Sequence, residues 1–139
     1  MVRGALLAAW MGGALASPVV ASDARLSLTL AGAAPAEGAC RLSFLAENQI
    51  GTDLDAMVLE AVIFTASGTV DRLLLLDFRT LPQGKPRVRQ FDLPGTDCAS
   101  VGQILINGAH ACQGAELAEN ACMGALVPAS RVDGIEVTG

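Results

Sequence analysis

Apolar and polar residues alternate with a period of two over most of this chain, the mark of strands with one buried face. Leu26, Leu28 and Leu30 alternate with Ser27 and Thr29. Cys40, Leu42, Phe44 and Ala46 share a face opposite Arg41, Ser43 and Glu47, which points Cys40 inward at the start of its strand. Asn48 to Asp53 reads as a loop from its turn residues. Met57 to Thr65 predicts a strand that is apolar on both faces except at Glu60. Ala66-Ser67-Gly68 then closes a hairpin, with Gly68 free to take a positive φ.

The returning strand runs from Thr69 to about Arg79, and Leu81 to Pro86 is a Pro/Gly turn. Pro86 to Leu93 follows, with Arg87, Arg89 and Phe91 on one face, and Pro94-Gly95 ends it. Val101 to His110 makes another strand, and Ala125 to Val137 holds one or two more. Two stretches stand outside this pattern. Residues 31–39 are rich in Ala, Gly and Pro, and Ala115 to Ala121 is a weak helix candidate with Glu116 and Glu119 on one turn.

Seven or eight short strands separated by turn signals predict an all-β fold, an antiparallel immunoglobulin-like sandwich. The hallmark core tryptophan of true immunoglobulin domains is missing, because the single Trp is Trp10. A general two-sheet sandwich is therefore the expectation. Tyrosine is absent, so the core must be aliphatic, with the four Phe as its large pieces.

The N-terminal residues follow a different logic. Arg3 supplies a short positive region, Gly4 to Ala16 carry no charge, and Ala14-Leu15-Ala16 and Val19-Val20-Ala21 are two small-x-small sites. This is the layout of a secretory signal peptide, expected as a helix over residues 1–21 with cleavage after Ala21. The alternative is an uncleaved anchor, since Gly4 to Ala21 is uncharged and close to the minimum spanning length. No Cys lies near the cleavage site for lipid attachment, and no twin arginine precedes the apolar run, which favours the Sec route over Tat.

The expected product is one domain, residues 22–139, periplasmic or secreted, with no membrane span once the leader is removed. Loss of Arg3 leaves eight basic against fourteen acidic residues, a net charge of −6. Such a field argues against nucleic acid as a partner.

Cys40, Cys98, Cys112 and Cys122 all lie in the exported part, and an even count there reads as two disulfides with three open connectivities. Cys112 and Cys122 flank a Gly-containing, helix-poor stretch suited to a local clip, which leaves Cys40 with Cys98. No C-x-x-C or similar spacing suggests a metal site instead.

A family resemblance enters through longer stretches. Cys40-Arg41-Leu42-Ser43-Phe44-Leu45-Ala46-Glu47-Asn48, then Asp53-Leu54-Asp55, then Leu59 to Phe64 with Gly68, resembles the bacterial envelope modules of the FxLYD kind. Leu75-Leu76-Asp77-Phe78, Arg87 to Gly95 with Cys98, and Ile104 to Gly108 with Cys112 look like a group of short exported bacterial proteins labelled as Tat-pathway signal sequence domain proteins. The resemblance covers about residues 38–139. It implies a sandwich and export, and carries no catalytic residues.

Candidate chemistry is sparse. His110 is the only histidine, and a small enzyme or metal-handling protein centred on it is the second functional reading. Ser100 and Asp97 are near it in sequence, yet no motif marks a nucleophile. Met57 and Met123 form no Met-rich run for copper and read as core fillers. Asn48, Gly51, Asp53 and Asp55 match only a fragment of a calcium loop. No catalytic residue, metal or cofactor is expected.

Two features point instead to a surface. Arg79, Lys85, Arg87 and Arg89 are half of the exported part's basic residues within eleven positions, suited either to an anionic partner or to guarding an edge strand. In the strand starting at Thr69, Val70, Leu74, Leu76 and Phe78 form a core face, which sends Leu73 and Leu75 the other way. Either the N-terminal strand or the 113–124 loop covers that pair, or it is an exposed partner site. The leading expectation is thus an exported non-enzymatic module that binds a protein or an envelope component.

Overall fold

The computed structural model describes residues 1, 4, 9–17 and 23–139. Eight strands are present: β1 (Arg25–Ala36), β2 (Ala39–Gln49), β3 (Leu54–Thr65), β4 (Val70–Leu81), β5 (Arg87–Pro94), β6 (Val101–Gly114), β7 (Leu126–Ser130) and β8 (Glu136–Thr138). They form two four-stranded sheets, ordered β5-β2-β1-β7 and β4-β3-β6-β8. The all-β sandwich read from the alternation is therefore the fold.

Both sheets are mixed rather than purely antiparallel. β7 pairs parallel with β1 and β8 parallel with β6, while the other neighbours run antiparallel. Strands β1-β2-β5 and β4-β3-β6 follow the neighbour pattern of an immunoglobulin sandwich, and the departure lies in the last two strands. The reason is local. β7 and β8 are short, and the backbone between them turns through Val132 to Ile135 without making a hairpin, so each joins the edge of a different sheet.

Two sequence expectations change. The Ala/Gly/Pro stretch at 31–39 is mostly strand: β1 continues to Ala36 and turns into β2 through Glu37-Gly38, with Gly38 at φ 67°. The helix is not at 115–121 but at Ala121–Ala125 (α1). Glu116 and Asn120 adopt left-handed backbone (φ 56° and 60°), which interrupts any helix across them.

Residues 9–17 carry neither helix nor strand, so the helix expected for the leader is not formed there. A Gly/Ala-rich segment with no packing partner lacks the tertiary contacts that hold most helices. Arg3 and the Ala21 cleavage site lie outside the described residues. Among the described residues no helix is long and apolar enough to cross a membrane.

The core is built from the inward faces: Leu26, Leu28 and Leu30 of β1, Leu42 and Phe44 of β2, Met57, Leu59 and Ile63 of β3, Leu76 and Phe78 of β4, Ile104 and Ile106 of β6. Cys40 is fully buried, as its place in the alternation requires, and bonds to Cys98. Cys98 sits in a short 3₁₀ turn (Cys98–Ser100) that leads into β6 in the opposite sheet, so the bridge ties the two sheets together. The second disulfide joins Cys112 at the end of β6 to Cys122 in α1. Of the three open connectivities, the structure has the local clip plus the long-range bridge, with no free cysteine.

Only three of the four Phe enter the core. Phe44, Phe78 and Phe91 stack edge to face, with ring centroids 5.1 to 6.1 Å apart. Phe64 alternates to the other side of β3 and does not join them.

Candidate interaction surface

The triad of rings lies where β4 and β5, the edge strands of opposite sheets, come together. Two arginines close this seam reciprocally. Arg89 of β5 donates from Nε to the Phe78 carbonyl at 2.8 Å and from Nη2 to the Thr80 carbonyl at 2.9 Å. Arg72 of β4 donates to the Pro94 carbonyl at 3.0 Å and to Thr96 Oγ1 at 2.7 Å. The planar guanidinium fork suits such paired carbonyl acceptors, where an ammonium group reaches only one at a time. Arg89 is thus turned inward with Phe91 and engaged on β4. Arg87 hydrogen-bonds only to its neighbour's carbonyl at Pro86, and Arg79 and Lys85 are exposed. The structure separates the four cations: one fastens the seam, and three face solvent or the sandwich rim.

At the adjacent end, Asn48 is the one fully buried polar side chain among the described residues. Its Nδ2 donates to the Thr52 and Leu81 carbonyls, each at 2.8 Å, and its Oδ1 accepts from the Ile50 amide at 3.0 Å. Asp53 accepts from the Gln83 amide at 2.7 Å. These oxygens and amides knit the β2–β3 loop to the β4–β5 turn, which is turn chemistry rather than a cation cage.

His110 lies exposed on β6. Ser100 Oγ donates to the Asp97 carbonyl, and the Asp97 carboxylate accepts from the Ala99 amide. Neither contacts His110. No group of three or more His, Cys, Asp or Glu is close enough to hold a metal ion among the described residues. Met57 is buried in the core and Met123 packs against it. An open hollow of ≈ 540 Å³ lies between the 50–52 loop and the 115–125 segment, walled by Ile50, Leu117 and several Ala and Gly, and His110 is not among its lining residues.

The outer faces of the two sheets differ sharply in chemistry. On the β5-β2-β1-β7 sheet, two directly opposed outward pairs are polar, while a third, Leu45 with Val88, is apolar and leaves Val88 57% exposed. Arg41 binds Asp92 through two hydrogen bonds of 2.8 and 2.9 Å, and Gln90 donates to Ser43 at 3.0 Å. The hydrogen bond from Arg41 holds the Asp92 carboxyl below its ordinary value, against the opposing pull of desolvation and with the guanidinium charge adding to it.

On the β4-β3-β6-β8 sheet, two neighbouring rows are apolar where β4 meets β3. Leu73, Val62 and Leu105 form one row across three strands, and Val70 opposes Phe64 in the next. Leu73 is 60% exposed, Val70 56% and Leu75 50%. Val62 is shielded to 8% exposure by this row. Glu60, opposite Leu75, accepts a 2.6 Å hydrogen bond from Asn107 and is the polar interruption of the face.

Val70 joins this patch against expectation, having been assigned to the core face with Leu74. Ile63 opposes Arg72 while Phe64 opposes Val70, so Asp71 is an extra residue, and a one-residue bulge exchanges faces. Arg72 takes the inward position instead. Neither segment expected to cover Leu73 and Leu75 does so: β1 belongs to the other sheet, and the 113–124 loop packs against β6 and β1.

Fold and surface together define a disulfide-stapled two-sheet β-sandwich with a mainly polar outer face on one sheet and an apolar patch on the other. No family model, curated protein or solved structure matches this chain.

Proposed function

We propose that this chain is an exported, non-enzymatic β-sandwich module that binds a protein or envelope component through the apolar outer face of its β4-β3-β6 strands. The observation that carries this reading is the contiguous exposure of Val70, Leu73 and Leu75 over Val62, Phe64 and Leu105. Fully burying a Leu or Val side chain is worth roughly 1.5–3 kcal/mol, so leaving three of them half open forgoes a sizeable part of that. The opposite sheet has the Arg41–Asp92 and Ser43–Gln90 pairs on its outer face, and its exposed apolar residues, Val88 and Val127, stand apart on its two edge strands. Contiguous apolar surface of this kind marks a contact site.

Two disulfides are compatible with an oxidising compartment, and the layout of residues 1–21 supports export through a signal peptide. N-terminal sequencing of the protein from its native cell is expected to begin at Ser22. Recovery of Met1 in the stable protein would overturn export with cleavage.

The surface reading is tested with Leu73→Asp and Leu75→Lys. Both are expected to keep the fold and abolish association with the native partner recovered by crosslinking. Undiminished association in both variants would overturn it.

A further inference from the structure

The hollow beside the 50–52 loop is built on two fixed walls. On one side, the buried Asn48 side chain receives the Ile50 amide and holds the Thr52 carbonyl, and the Gly51 amide donates to Gln83 Oε1 at 2.8 Å. On the other, the Cys112–Cys122 bridge closes the segment that carries Ala115 to Asn120. The walls meet where Gly114 passes the Asp53 carbonyl so closely that no Cβ would fit. A cavity of ≈ 540 Å³ held in this way lies within the usual range for small-molecule sites, and is larger than a single inserted side chain needs.

Its lining is apolar around one charge. Ile50, Leu117 and several alanines and glycines line it, and the polar members are Thr52, Glu116 and Asn120. Neither the 50–52 loop nor the 113–125 segment contains Lys or Arg. Glu116 is the odd residue. It adopts left-handed backbone at φ 56°, a region that glycine and asparagine enter readily and glutamate does not. Its carboxylate makes no ion pair among the described residues, so nothing inside the molecule offsets the strain. Strain kept at the mouth of a cavity without an internal partner is the pattern of a residue that meets a ligand.

We infer that this hollow binds a small aliphatic amine, with its hydrocarbon chain against Ile50 and Leu117 and its ammonium group on the Glu116 carboxylate. An ammonium group has three donors and no acceptor, and the Glu116 carboxylate, the Asn120 amide oxygen and the Thr52 hydroxyl are acceptors lining the same hollow. An anionic ligand would meet Glu116 with like charge and find no cation in either wall. The acidic surplus of the exported part likewise draws cations rather than anions. None of Val70, Leu73 and Leu75 lines the hollow, so the inference is independent of the apolar face.

The test is titration of the disulfide-bonded protein at low salt with n-hexylammonium chloride to about 20 mM, a range suited to a weak small-ligand site, followed by backbone amide NMR shifts. Saturable shifts are expected in residues 50–52 and 115–125. n-Butylammonium is expected to bind about tenfold more weakly, because each buried methylene is worth about fourfold. Glu116→Gln is expected to weaken hexylammonium binding by about fivefold, the upper range of an exposed ion pair. Glu119→Gln, which removes the same charge outside the lining, is expected to leave it unchanged. Glu116→Gly removes carboxylate and strain together, and is expected to raise Tm while weakening binding at least as much as Glu116→Gln.

No saturable shift in those two segments would overturn the inference. So would hexanoate binding as tightly as hexylammonium, or Glu119→Gln weakening it as much as Glu116→Gln. A fall in Tm in Glu116→Gly would give the carboxylate a role in the fold and overturn it too. Nα-acetyl-lysine amide binding more tightly than hexylammonium would make a protein lysine the occupant and exclude the free amine.

Discussion

At the scale of single residues, most of the structural specificity sits in a few polar side chains that satisfy backbone groups. Asn48, itself fully buried, holds two carbonyls and one amide. Replacing it by Ala leaves those groups unpaired, and Asn48→Ala is expected to cost about 1–3 kcal/mol in urea unfolding. A loss within error would show that water replaces the side chain.

Arg89 has a comparable role at the seam. Arg89→Lys is expected to destabilise nearly as much as Arg89→Met, because one ammonium group cannot reproduce the two-carbonyl fork. The Arg41–Asp92 pair is exposed and gives a pH signature rather than much stability. Asp92 titrates below its ordinary value when folded, so its stabilisation is fully present above about pH 4 and fades as the pH falls through the folded value. The stability difference between wild type and Asp92→Asn is expected to stay constant from pH 7 to about 5 and to close below about 4.

These roles were only partly legible in the sequence. Asn48 stood out as the first residue of a turn-rich loop, and Arg89 as one of four clustered cations. Their partners, Leu81 and Phe78, are brought near by the β4–β5 crossing, which no local pattern encodes.

At the scale of elements, alternation identified the strands and their inward faces because a period-two pattern needs no knowledge of neighbours. Leu26–Leu28–Leu30 and Leu42–Phe44–Ala46 are buried as the pattern requires. The pattern misleads where the backbone adds a residue: the bulge at Asp71 transferred Val70 from the core face to the outer face. It also cannot supply sheet partners, which is why the parallel attachment of β7 and β8 was not foreseen.

Cysteine spacing did better, because a ten-residue separation across a turn-prone stretch favours a local bridge. The two bridges should contribute unequally. In the chain-entropy account, removing the Cys40–Cys98 bridge by double serine substitution costs about 4 kcal/mol, and removing Cys112–Cys122 about 3. Thermal unfolding of the two variants is expected to rank them in that order. The reverse order would mean that the 113–121 loop depends on its clip for more than chain entropy.

Across the whole molecule, the asymmetry between the two outer faces is the feature on which the proposed function rests. One sheet shows solvent Arg41, Asp92, Ser43 and Gln90 with Val88 and Val127 at its two edges, and the other shows it Val70, Leu73 and Leu75 side by side on one strand. Leu73 and Leu75 could be picked out beforehand, since an unbroken run of leucines in a strand must send alternate ones outward. Whether anything covered them depended on where β1 and the 113–124 loop ended up, a question of tertiary placement.

The proposed function makes the β4-β3-β6 face a partner-binding surface. Placing a photoreactive residue at position 73 or, on the opposite sheet, at position 90, and irradiating native cells decides the matter. A defined protein adduct is expected from position 73, lost in the Leu75→Lys background, and none from position 90. Equal adducts from both faces, or an adduct from position 90 alone, would contradict it.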